Sequence, residues 1–119
     1  MRLSKAQQVI IDQAHREIDF ARTHTLEEWA EKRKNVPNKD HPWAKWYIEK
    51  YGDVEFEKYR RDRIREYAET YGKYYEREKN AIVLCTANTR TLKKLEELGL
   101  IRIIREGGSS PDTIEILNY

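Results

Sequence analysis

Apolar positions keep a three- and four-residue rhythm through the first two-thirds of the chain, then change from Ala81 onward to short β-branched runs. Behind the S-x-x-Q pattern of Ser4 and Gln7, the positions Ala6, Val9, Ile10, Ala14, Ile18 and Ala21 predict a first helix to about Arg22. Thr25 and Glu28 repeat the capping pattern, and Leu26, Trp29 and Ala30 give a short second helix with one apolar stripe. The polar stretch "NVPNKDHP" reads as a loop. Asp40 is the expected cap of a third helix, with Pro42 in its first turn, Trp43, Trp46 and Tyr47 on one side, and Gly52 closing it. A longer helix from Asp53 to about Glu78 carries the stripe Phe56, Tyr59, Ile64, Tyr67, Tyr71 and Tyr74, with Gly72 as a candidate kink.

The run "AIVLC" is short and almost wholly apolar, which favours a buried strand over more helix. After Asn88 the helical period returns, with Leu92, Leu95 and Leu98 inward and Arg90, Lys93, Lys94 and Glu97 outward. Gly99 is placed to end this helix in the left-handed conformation, with Leu100 folding back on Leu95. "LIRIIR" and "TIEIL" then face each other across "EGGSSPD", a hairpin with a loose, flexible tip. The expected class is α+β, mostly α: one domain over residues 1–119, with a helical part over 1–80 and a strand, helix and hairpin over 81–119.

Composition narrows the picture. Charged residues make up 37% and hydrophobic ones 39%, so the core must be modest and rely on the eight Tyr and three Trp. Twenty-three basic against twenty-one acidic residues give +2, neither the strong basic bias of a dedicated nucleic-acid binder nor the charge of an acidic mimic. Cys85, the sole cysteine, excludes an internal disulfide and a cysteine-rich zinc site. With no apolar run of membrane length and no hydrophobic signal region after "MRLSKAQQ", a soluble cytoplasmic protein without membrane association is expected. His15, His24 and His41 lie in different segments, Cys85 sits in an apolar run, and the pairs Glu27/Glu28 and Glu96/Glu97 point to different sides of their helices. Catalysis, a bound metal and a cofactor are therefore not expected.

The pattern T-L-x-x-L-x-x-L-G-L-I followed at once by a hairpin resembles the recognition helix and wing of winged-helix proteins, within the helix-turn-helix superfamily. The matching residues are Thr91, Leu92, Leu95, Leu98, Gly99, Leu100 and Ile101, with Ile103, Ile114 and Ile116 in the hairpin. The segments Leu3 to Gln8 and Asp112 to Tyr119 look like those of small phage or mobile-element proteins of Gram-positive bacteria. In a standard winged helix the second helix comes immediately before the recognition helix, whereas here Ala81 to Cys85 take that place, with the tyrosine-rich helix and "HPWAKWY" as an insertion or substitute. The resemblance implies double-stranded DNA as partner, with Asn88, Thr89, Arg90, Lys93 and Lys94 facing the groove and a wing from Arg105 to Ser110 that includes Ser109. Asn and Arg can pair bidentately with base edges, while Lys and Ser hold phosphates.

From Thr86 onward, however, five basic residues meet five acidic ones, so this module is formally neutral and must draw charge from elsewhere. "KYRRDRIREY" is the most basic stretch: Lys58, Arg60, Arg61, Arg63 and Arg65, interleaved with Tyr59 and Tyr67, suit a phosphate track with aromatic platforms. The same residues also suit a solvated helix face paired with neighbouring carboxylates, and the tyrosines suit core or dimer contacts. Two functions follow. One is a DNA-binding regulator of a phage or mobile element, alone or as a homodimer. The other is a non-enzymatic protein-binding inhibitor or adaptor, of the anti-defence type, whose target is a host protein.

Overall fold

The computed structural model describes residues 2–105 and 112–119. The fold is α+β, mostly α, in the order α1 (Lys5–Thr23), α2 (Leu26–Lys34), α3 (Pro42–Tyr51), α4 (Asp53–Lys79), β1 (Ile82–Cys85), α5 (Thr89–Glu97), β2 (Ile101–Arg105) and β3 (Asp112–Ile116). The chain forms two compact units: Met1–Thr23 with Tyr74–Tyr119, and His24–Lys73. The hairpin tip expected at "EGGSSPD" lies, up to Pro111, outside the described residues.

The first unit has an aliphatic core. Ile11, Ala14 and Ile18 of α1 meet Leu92 and Leu95 of α5 and Val83, Ile101, Ile114 and Ile116 of the sheet. Each large side chain so buried contributes roughly 1.5–3 kcal/mol. The sheet is antiparallel in the order β1-β3-β2, so the last strand is central and β1 joins the hairpin as a third strand. Val83 and Ile103 both stand opposite Ile114. Ile103 pairs with Ile114 and Arg105 with Thr113, which leaves Ile104 as the extra residue of a bulge.

Where α5 turns into β2, Gly99 has φ +76, the left-handed region that disfavours a Cβ. The Gly99 N–H donates to Glu96 O at 2.9 Å and the Leu100 N–H to Leu95 O at 3.1 Å, the paired bonds of a Schellman ending. Leu100 then packs against the core. Leu98, expected inward, is 40% exposed because it forms the C-cap, where the chain has already begun to leave the helix. Along α1, Ala14, Ile18 and Ala21 are buried as expected and Ile11 joins them, Ile10 is half-buried, and Ala6 and Val9 face out, Val9 being 53% exposed.

The second unit is built from aromatic side chains. Trp29 and Phe56 are fully buried together with Ala30 and Ala44. Trp43, Tyr47 and Tyr59 form a layer with ring centroids 5.2–5.6 Å apart, and Tyr67 stands 5.8 Å from Trp29 and 4.6 Å from Tyr71. The Thr25 capping box is complete: its Oγ1 accepts from the Glu28 N–H at 3.2 Å and the Glu28 carboxylate accepts from the Thr25 N–H at 2.9 Å. The cap of α3 is His41, whose Nδ1 accepts from the Trp43 N–H at 3.1 Å, and not Asp40. Pro42 holds N1 and forces the residue before it into extended backbone, which is the cap position. Trp46 is half exposed, and in this unit α4 buries Phe56 and Ala68 while Tyr71, a member of the expected stripe, is exposed. The expected stripes leave out Ala44 and Ala68, both buried, because they rest on large apolar residues, when an alanine can sit closest to a neighbouring helix.

Candidate nucleic-acid interface

Helix α5 buries Leu92 and Leu95 and exposes Thr89, Arg90, Lys93, Lys94 and Glu97. Arg90, Lys93, Lys94 and Glu97 recur at three- and four-residue spacing, which makes them one outward face. Asn88 stands at its head as the N-cap: its Oδ1 accepts from the Arg90 N–H at 2.8 Å. A bidentate contact to adenine needs that same oxygen together with Nδ2. Asn88 therefore sets the start of the helix, and base reading by it competes with the cap.

Of the acidic residues of this module, Glu96, Asp112 and Glu115 lie off the outer face of α5, Glu97 lies on it, and Glu106 is outside the described residues. The Glu96 carboxylate accepts from the Ile103 N–H at 2.8 Å, tying α5 to β2. Glu115 pairs with Arg102 at 2.9 Å across the β2–β3 register. Asp112 is buried at the start of β3. Arg90, Lys93, Lys94 and Glu97 lie on the outer face of α5. Arg105 ends β2 opposite Thr113, and Ser109 lies outside the described residues.

The basic stretch of α4 behaves in the opposite way. Lys58, Arg61 and Arg65 share one exposed stripe at spacings of three and four. Arg60 and Arg63 point elsewhere. The Arg60 guanidinium pairs with Glu31 of α2 at 2.6 Å and donates through Nε to Pro37 O at 3.2 Å. Arg63 pairs with Glu66 at 3.1 Å and lies 5.4 Å over the Tyr59 ring, with its Nε buried and without a hydrogen-bond partner among the described residues. Tyr59 and Tyr67 are committed to the aromatic layers described above. The stripe of α4 also borders a groove whose other wall is Glu27, Glu28 and Glu31 of α2, carboxylates that repel phosphate.

Other chemistry is sparse. Among the described residues no group of His, Cys, Asp and Glu could hold a metal ion, and no helix is long and apolar enough to cross a membrane. Burial pushes the half-buried Cys85 thiol above its ordinary pKa, so it stays protonated at neutral pH. Cys85 lines a groove of about 360 Å³ between α1 and β1, bordered by the exposed Val9 and Leu84. No family model, no curated protein and no solved structure matches this chain.

Proposed function

We propose that the protein is a small winged-helix-like DNA-binding regulator that presents the outer face of α5 to the major groove of duplex DNA. The observation that carries this reading is the separation of charge in the first unit: Glu96, Glu115 and Asp112 are taken into the sheet and its junction, while Arg90, Lys93 and Lys94 stand together on one exposed helix face. The helix is held from behind by Leu92 and Leu95, so its outer residues are presented by a packed frame. In this reading Arg90 reads a base edge, Lys93 and Lys94 hold phosphates, and Asn88 fixes the helix start. The frame performs no chemistry of its own and serves the position of α5.

The test is selection of preferred sites from a random-sequence duplex pool by the full chain, followed by the same selection with Arg90→Ala. An enriched motif that loses definition at one position with Arg90→Ala supports the reading. Absence of binding at low salt overturns it.

A second reading, a protein-binding inhibitor or adaptor acting on host machinery, draws on a different feature. Val9 and Leu84 leave apolar surface beside β1, which is an edge strand of the sheet. If the pool selection fails, Val9→Asp and Leu84→Asp are the variants to compare in partner capture from the native host.

A further inference from the structure

We propose that the groove between α2 and α4 in the second unit is the centre of a self-association surface, whose two walls meet the same two walls of a second copy of this chain. The groove holds about 530 Å³ and has walls of opposite sign. Glu27, Glu28 and Glu31 line the α2 side, and Arg61 and Arg65 the α4 side. Leu26 and Ile64, both half-buried, supply apolar surface between them. Among the described residues one ion pair joins the two walls, Arg60 to Glu31. Glu27, Arg61 and Arg65 are exposed and hold no partner among the described residues. The Glu28 carboxylate is kept below the ordinary carboxylate pKa by its bond to the Thr25 N–H.

The sign pattern selects the occupant. A polyanion such as duplex DNA meets the α2 carboxylates, and a uniformly basic segment meets Arg61 and Arg65. What fits is a surface with an acidic ridge and a basic ridge on either side of apolar contacts. The α2–α4 face is itself such a surface. Two copies related by a two-fold axis set the acidic wall of each against the basic wall of the other, so every complementary pair occurs twice. Since the attraction is largely between exposed charges, it weakens as salt is raised. This surface belongs to the second unit alone and does not depend on what α5 binds.

The experiment is sedimentation equilibrium of the full chain over a wide concentration range, at low and high salt. A reversible monomer–dimer equilibrium at low salt is expected, with the dissociation constant rising by about tenfold or more at high salt. Arg61→Glu with Arg65→Glu makes the face acidic on both walls and abolishes self-association, while Glu27→Arg weakens it. Neither change touches a bond that holds the unit together, and unchanged circular dichroism and thermal unfolding check this. Mixed in equal amounts, the two variants form a heterodimer tighter than either homodimer, because the acidic face of one meets the more basic face of the other. A wild type that stays monomeric at every concentration overturns the proposal, whether or not the groove takes another protein. So does self-association unaffected by the Arg61/Arg65 change, or a mixture that forms no heterodimer.

Discussion

The two basic segments of this chain exchange rank between sequence and structure. On α4, Lys58 to Arg65 hold five cations against Asp62, yet Arg60 and Arg63 are engaged within their own unit and carboxylates of α2 border the exposed stripe. On α5, three cations sit in a formally neutral module, yet Glu96 and Glu115 are bonded at the sheet and Asp112 is buried, while the cations share one outer face with Glu97. Formal charge counts residues, whereas a ligand meets only those a fold leaves facing outward. Electrostatic availability is therefore a property of packing as much as of composition.

The largest effect on this comparison comes from removing the frame behind α5. Leu95 is fully buried, and Leu95→Ala should cost about 2–5 kcal/mol in urea unfolding, through reduced burial and the cavity left behind. A loss under ~1 kcal/mol would show that α5 is not held by this core. Next, Arg60→Ala should destabilise the chain by about 1–2 kcal/mol, because it breaks two bonds to a half-buried guanidinium. Arg61→Ala removes the same kind of side chain from the exposed stripe and should stay within about 0.5 kcal/mol of wild type. Equal losses from the two would erase the distinction drawn between them. Asn88→Ala should cost about 1 kcal/mol of stability by removing the cap and lower affinity alike for all DNA sequences, with Asn88→Ser recovering most of both. A site-selective loss would return Asn88 to base reading.

The smallest effect is one of pH. Glu28 has its folded pKa lowered from 4.5, chiefly by the backbone bond to Thr25, so its contribution is complete above the unfolded value and is lost as pH falls through the folded one. Acid unfolding of Glu28→Gln should lack this component. An unchanged acid limb of the stability curve would show that the capping box does not contribute.

Much of the fold is legible from the sequence, for reasons that can be located. Capping boxes at Ser4 and Thr25 and the Schellman ending at Gly99 are local devices, set by residues within one turn of each other, and all three form. The strand character of "AIVLC" is likewise local. What is not legible is long-range. Nothing near Ile82 signals that β1 pairs with the last strand, since that register is fixed by burying Val83 and Ile114 on one face. The cap at His41 is hidden because Asp40 is the stronger capping residue, and Pro42 decides the matter. The engagement of Arg60 depends on Glu31 and Pro37, far away in the chain, so a basic run alone does not separate it from Arg61. The same holds for Glu96, whose bond to the Ile103 N–H needs the turn at Gly99 to exist first.

In the proposed function α5, and not α4, supplies the charge available to DNA. The most direct test is the slope of log affinity against log salt, measured for the full chain and two variants. One variant has Arg90, Lys93 and Lys94 changed to Ala, and the other Lys58, Arg61 and Arg65. Each phosphate that is no longer neutralised should reduce the slope by about 0.9. A slope flatter by about 2 to 3 is predicted for the α5 variant, with weaker binding at low salt, and a slope close to wild type for the α4 variant. A flattened slope for the α4 variant beside an unchanged one for the α5 variant would contradict the proposed role of α5.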